Sequence, residues 1–373
     1  MDKLNAPFRY DIVGSFLRPE AIKTARAQYA QGQITLDRLR DVEDVEVAKL
    51  IERQKAAGLH AVTDGEFRRR WWHLDFLAGF NGIEVYDFET DGFGVKKMMQ
   101  STYVSEPLSF DPAHPFLEGF KRTQEIAGDV PVKQTIAGPN MITLDSVVLS
   151  AQYAANPVYR DLDELREALA KVYQDAIRAF YDAGCRYLQL DDTSWGALFS
   201  KRFRDRITAC GYDPDKLIDV FGDITEAALE GRPSDMVITT HMCKGNFMSH
   251  WLYEGTYETV ARRLLGIRGI DGFFLEYDDE RSGDFSPLRF LPKDTDQRVV
   301  LGLVTTKDPK LEDAAPIRDR IYEAAKVVDL DRLCLSPQCG FSSTEEGNVL
   351  FEEDQWKKLR LVREVAESVW ADA

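Results

Sequence analysis

Residues 236–247 read MVITTHMCKGNF, and this run decides how the rest of the chain is read. Its opening, 236–240, is apolar and β-branched without a polar face, as in a strand buried on both sides. The run closes on His241 and Cys243, two residues with metal-binding side chains. The layout recurs downstream: 272–275 runs into Glu276, and 333–335 runs through Ser336-Pro337-Gln338 into Cys339. An imidazole, two thiols and a carboxylate at one rim of a sheet form a zinc site, because soft thiolates select zinc over magnesium or calcium. The spacing is far wider than a zinc finger's, so the fold must assemble the ligands. That favours a catalytic ion over a structural clip.

Working outward, strand-like runs alternate with amphipathic helical stretches along nearly the whole chain, the pattern of a parallel sheet with crossover helices. Eight strands are expected, at 10–13, 60–63, 132–136, 187–190, 236–240, 272–275, 299–304 and 332–335. Helices are expected at 36–57, 161–183, 215–230, 257–265, 311–328 and 354–370. Apolar residues in these stretches recur every three or four positions, as in Leu165, Leu169, Val172, Ile177 and Phe180. The predicted fold is α/β, a single (β/α)8 TIM barrel over residues 1–373 with long insertions after strands 2 and 6. The first insertion, 67–131, is rich in aromatics and holds a predicted hairpin around Gly92-Phe93-Gly94. The second, 280–297, carries Pro287 and Pro292. Both are candidate lids over the site.

Polar residues cluster where the predicted strands end. They are Gly14-Ser15, Asp64-Gly65-Glu66, Gly138-Pro139-Asn140, Asp191-Asp192, His241 with Cys243, Glu276, Lys307-Asp308-Pro309 and Cys339-Gly340. Barrel active sites form at these C-terminal strand ends. The formal charge of −16 argues against nucleic acid and anionic membranes as partners. No basic-then-apolar leader opens the chain, and no apolar run is long enough to span a bilayer. Five scattered cysteines suit a reducing cytoplasm better than a disulfide framework. No nucleotide-binding glycine loop follows a strand into a helix.

The segments DIVGSF, VTDGEF, IAGPNM, LQLDD, HMCKGNF, FFLEYDD, GLVTTKDP and SPQCGF lie between Asp11 and Phe341. Together they resemble the catalytic barrel of the cobalamin-independent methionine synthase family, in a short, single-barrel branch. The resemblance implies a zinc-dependent S-methyltransferase that moves a methyl group from a 5-methyltetrahydrofolate, poly- or monoglutamate, to homocysteine. It implies zinc as cofactor on His241, Cys243, Glu276 and Cys339. Ser15, Glu66 and Asp191 match positions that hold the amino-acid end of homocysteine. Lys307 stands where larger members have a histidine proton donor, so Lys307 and Asp191 are the candidate catalytic residues. Two further departures concern the folate side. Asp145 occupies the position of a folate-facing tryptophan, and the Arg-Cys pair of larger members is not visible.

The chemistry accounts for these residue types. A free thiol is only a few per cent thiolate at neutral pH, whereas a metal-bound one is deprotonated. The leaving group is a tertiary amine and departs badly unless a general acid protonates it. Lys307 either supplies that proton or neutralises a substrate carboxylate, with Asp192 as the other candidate. The two carboxylates Glu66 and Asp191 suit an α-ammonium group, and backbone N–H groups near Gly14-Ser15 suit the α-carboxylate. The alternative is a related zinc alkyltransferase acting on another thiol or methyl donor, such as a sulfonate thiol that opens an epoxide. A cation in place of Glu66 and Asp191 would mark that case. A barrel that binds metal without turnover is a third reading. Trp71 and Trp72 are read as loop packing rather than as folate platforms.

Overall fold

The computed structural model describes residues 3–90 and 97–373. The first two strands in the chain, β1 (Asn81–Thr90) and β2 (Lys97–Ser109), pair antiparallel as a hairpin within the first insertion. The expected tip around Gly92-Phe93-Gly94 lies outside the described residues. Six strands then build one parallel sheet in sequential order: β3 (Lys133–Ala137), β4 (Tyr187–Asp191), β5 (Val237–Met242), β6 (Gly272–Glu276), β7 (Arg298–Val304) and β8 (Leu333–Pro337). All but β7 are buried at every position, which is why they read as continuous apolar runs.

Crossover helices cover the sheet. Leu162–Asp182 lies between β3 and β4, with Asp161 capping it by accepting from the N–H groups of Asp163 and Glu164. Its Leu165, Leu169, Val172, Ile177 and Phe180 are buried, as their spacing predicts. Pro214–Leu229, Glu258–Leu265, Ala314–Ala324 and Glu352–Val369 follow β4, β5, β7 and β8. After β6 only the 3-10 turns Glu280–Ser282 and Ser286–Phe290 intervene, where the second insertion is expected. Among the described residues, three helices longer than two turns escape the sequence pattern: Glu20–Ala30, Pro115–Ala127 and Lys201–Ala209.

The structure corrects the first two expected strands. At 10–13 and 60–63 only single parallel bridges form, Tyr10 to Leu335 and Val62 to Val132. Side chains occupy backbone groups that a longer ladder would use. The Asp11 carboxylate accepts from Ile12 N (2.7 Å) and Phe8 N (3.3 Å). The Gln54 amide pairs with both Thr63 N (3.0 Å) and Thr63 O (2.8 Å). The two segments meet through Thr63 Oγ1 donating to Gly14 O (2.6 Å) and Phe16 N donating to Gly65 O (3.0 Å). The observed architecture is a mixed α/β fold on a parallel sheet, with a bridged segment at each edge.

Candidate active site and metal centre

The strands run slightly further than their apolar runs, so Asp191, His241 and Glu276 lie inside the ladder. Asp191 and His241 are direct partners across β4 and β5, which sets their side chains on one face. Cys243 is two residues beyond His241, and Cys339 follows the end of β8. The ligand atoms of His241, Cys243 and Cys339 lie within 4.8 Å of one another, and all three residues are buried. Neither ring nitrogen of His241 has a hydrogen-bond partner among the described residues. Buried polar atoms are almost always paired, so two orphaned imidazole nitrogens beside two thiols fit a metal ion. Contact with Cys243 holds Cys339 well below the usual thiol range, and the same contact pushes Cys243 well above it.

Glu276 is fully buried beside this trio, but its oxygens are taken. Oε2 accepts from Lys244 N (2.8 Å); Oε1 accepts from Arg281 Nη2 (3.2 Å) and Lys307 Nζ (3.3 Å). Lys307 is buried, which works against its charge. Glu276, Asp278, Cys339 and Cys243 more than offset this, raising its pKa. Its ammonium is held against the Glu276 carboxylate, with the two thiols near enough to add to that shift.

Beside the trio lie the residues expected to grip an amino acid. Glu66 is buried with φ +61°, a left-handed conformation that a non-glycine residue adopts at some cost and mostly at functional sites. Its Oε1 accepts from Thr135 Oγ1 (3.3 Å), and Arg18 and Arg69 stand 3.9 Å away. Oε2 has no hydrogen-bond partner among the described residues, Arg18 being its ion-pair neighbour. Burial raises the Glu66 carboxyl against the pull of Arg69 and Arg18. Asp191 accepts from Gln189 Nε2 (2.7 Å), and burial pushes it up to about 7 although His241 opposes the shift. Ser15 is pinned to the metal loop: Phe341 N donates to Ser15 O (2.9 Å) and Ser342 N to Ser15 Oγ (3.3 Å). Gly340 must be glycine here, since a Cβ would lie 1.9 Å from Ser15 Oγ.

A cavity of about 260 Å³ opens onto both groups, lined by Ser15, Glu66, Asp191, His241, Cys243 and Cys339. Glu276, Lys307 and Asp192 do not line it. The Asp192 carboxylate is filled by Asn140 Nδ2 (2.9 Å) and the N–H (3.3 Å) and hydroxyl of Ser194. The lining also includes Asp145, Arg202, Arg206 and Tyr253, and the hairpin residues Tyr86 and Phe88. Trp71 and Trp72 also reach the cavity; Trp71 stacks on Phe247 with centroids 5.8 Å apart, so packing and lining coincide.

Sequence reasoning missed Asn246, Arg206 and Tyr253. Asn246 donates to Gly340 O (2.8 Å) and Ser343 Oγ (3.2 Å), leaving its buried Oδ1 unpartnered among the described residues. Its place three residues after Cys243 was the available signal. Arg206 and Tyr253 carry none, because each depends on how a helix or loop folds back over the strand ends.

A family model described as cobalamin-independent synthase, catalytic domain, matches residues 9–368. The chain belongs to this family. Within it, the uncharacterized protein YxjH of Bacillus subtilis (strain 168) is 47% identical over 368 residues, covering 98% of this chain and 95% of that protein. A 5-methyltetrahydropteroyltriglutamate–homocysteine methyltransferase of Trichodesmium erythraeum is 22% identical, covering 89% of this chain and 40% of the longer relative. Among solved structures, a Listeria monocytogenes protein assigned as a vitamin B12-independent methionine synthase is 40% identical, with TM-score 0.77 and 98% of each chain covered. A B12-independent methionine synthase from a Shewanella species, in complex with selenomethionine, shares the fold at 19% identity, TM-score 0.71 and 97% coverage of each chain.

Proposed function

We propose that the protein is a zinc-dependent S-methyltransferase that moves a methyl group from 5-methyltetrahydrofolate to homocysteine, forming methionine. The observation that carries this reading is the buried His241-Cys243-Cys339 trio lining a cavity whose wall also bears Glu66 and Asp191. His241, Cys243 and Cys339 would hold zinc, with Glu276 as the fourth ligand in our assignment. Bound there, zinc keeps an added thiol deprotonated at neutral pH.

The chain's own residues do the rest. Glu66 and Asp191 take the α-ammonium, with Asn246 Oδ1 as a further acceptor. Ser15 and the N–H groups around it take the α-carboxylate. Fixing both ends of the amino acid aims its sulfur, and such positioning is worth several kcal/mol in a displacement at carbon. Lys307 holds Glu276 and balances the negative charge of the thiols, a positioning role in place of the proton donor expected from sequence. The pair of acids disfavours a sulfonate thiol, so homocysteine is preferred to the acceptors of related alkyltransferases.

The bridges of Tyr10 and Val62, with the Thr63-to-Gly14 contact, support reading the sheet as a closed (β/α)8 barrel forming one domain. Five free cysteines support a cytoplasmic location. Among the described residues no helix is long and apolar enough to cross a membrane. The test is zinc content of the purified protein and its Cys243→Ser variant, with homocysteine methylation assayed from 5-methyltetrahydrofolates. Zinc in the wild type, lost in the variant, together with methionine production is the expected result. A fully active metal-free protein would sink the mechanism.

A further inference from the structure

A tertiary amine that loses its methyl group needs a proton; Lys307 and Asp192 do not line the cavity, and Asp191, which does, is assigned to the substrate's ammonium group. Lys307 is held on Glu276, and Asp192 is filled by Asn140 and Ser194. The source has to be a side chain of the cavity wall. Asp145 is there, on the π-helical turn Ile142–Val148 that follows β3. Such turns are rare and concentrate at functional sites. A contact between Thr102 Oγ1 of β2 and Ser146 Oγ (2.6 Å) fastens the turn to the hairpin. Asp145 itself accepts no hydrogen bond from any described residue, so its carboxyl is free for a ligand. Arg206 of helix Lys201–Ala209, Asp192 after β4 and Tyr253 after β5 are close enough to interact with it electrostatically, and Arg202, Thr193, Tyr86 and Gln100 line the same cavity.

Building on the reading above, we propose that Asp145 is the general acid, donating its proton to the nitrogen that leaves when the methyl group is transferred. The acceptor's thiolate sulfur forms the new bond to the methyl carbon, and the carbon–nitrogen bond breaks. Its electron pair stays on nitrogen and is taken up by the Asp145 proton. A thioether, a secondary amine and an Asp145 carboxylate result, and water at the cavity mouth returns the proton. Burial pushes the Asp145 carboxyl up to about 7, with Arg206 opposing and Asp192 adding to the shift. An acid with a pKa near the working pH is the effective kind. Arg206 is placed to stabilise the carboxylate left behind. The donor this arrangement suits carries its methyl group on an amine nitrogen.

The test compares the zinc-loaded wild type with Asp145→Asn and Arg206→Gln, using homocysteine and 5-methyltetrahydrofolate. Asp145→Asn should lower kcat by about 10²–10⁴-fold, with zinc content and homocysteine KM unchanged. Wild-type kcat should fall as pH rises past about 7, because the carboxyl then loses its proton. That limb should vanish in Asp145→Asn. It should move to higher pH in Arg206→Gln, which removes the charge that lowers the Asp145 pKa. Trimethylsulfonium separates chemistry from folding, since its leaving group is a neutral thioether that needs no proton. With it as donor, the Asp145→Asn defect should shrink to less than about threefold, against the general-acid range. An equal loss with both donors, or an unchanged alkaline limb, would overturn the assignment. So would a wild type that methylates homocysteine from the sulfonium but not from methyl-folate, although thiol methylation would then stand. A protein without zinc would overturn the reading beneath it instead.

Discussion

Glu66→Gln isolates the recognition of the substrate's ammonium group. In the native site the carboxylate stands 3.9 Å from both Arg18 and Arg69. At an effective dielectric of about 20, each such attraction is ~4 kcal/mol before desolvation. An ammonium bound to Oε2 would add a third interaction of that order. Truncating one partner of a buried charge pair typically costs about 2–5 kcal/mol. Glutamine keeps the shape and one acceptor, which points to the low end. Two guanidinium groups left without their counter-charge would repel the ammonium, which prevents the effect from vanishing. A loss of about 2–3 kcal/mol corresponds to roughly 30–150-fold weaker binding of homocysteine. The fold should survive, because Arg18 keeps the carbonyls of Phe16 (2.9 Å), Gly65 (3.2 Å) and Ser342 (2.8 Å) as acceptors. Titration calorimetry on zinc-loaded protein reads the affinity, with 4-mercaptobutyrate, the analogue lacking the amine, as control. Unchanged homocysteine affinity, or an equal loss for the analogue, would refute the role given to Glu66.

Three further outcomes are expected. His241→Ala and Cys339→Ser should each remove bound zinc and thiol alkylation together, read by elemental analysis and a methylation assay. Asp191→Asn should weaken homocysteine binding by about tenfold or more, as for a lost charged hydrogen bond, while zinc content stays the same. Gln54→Leu leaves Thr63 N and O without the partners seen here. It should lower the unfolding free energy by about 2–4 kcal/mol, measured by denaturant titration; a variant as stable as the wild type would mean that the amide is not replacing ladder bonds.

The site was more legible in the sequence than the sheet that carries it. His241, Cys243 and Cys339 announce themselves because thiols and imidazole at the ends of buried strands have few other uses. Glu276 also ends a buried strand, yet its bonds to Arg281, Lys307 and Lys244 could not be foreseen, since all three residues lie outside the strands and the longer helices. Lys307 was located at its strand end, but its contact with Glu276 was not read, because strand-end position does not say which way a long side chain turns. The strands at 10–13 and 60–63 looked like their neighbours because apolarity records burial, not pairing. What interrupts them is Asp11 and Gln54 competing for backbone groups, and only the folded geometry reveals that competition. Asp145 was visible as an oddity of position, but its value depends on Arg206 and Tyr253 arriving from distant segments.

The stitching of Ser15 to the loop that bears Cys339 makes the site a ruler for chain length. Phe341 N and Ser342 N grip the serine from the residues just past the cysteine, and Gly340 leaves no slack between them. Ser15, the carboxylate anchor in the function proposed above, and one thiol of the metal trio are therefore tied together as a single piece. A substrate whose sulfur reaches the trio while its carboxylate rests at Ser15 must have a backbone of matching length. Cysteine, one methylene shorter, would have to let go at one end. A single methylene is commonly worth only about 1–3 kcal/mol in a soft pocket, but a rigid span turns that increment into a choice between one contact and two.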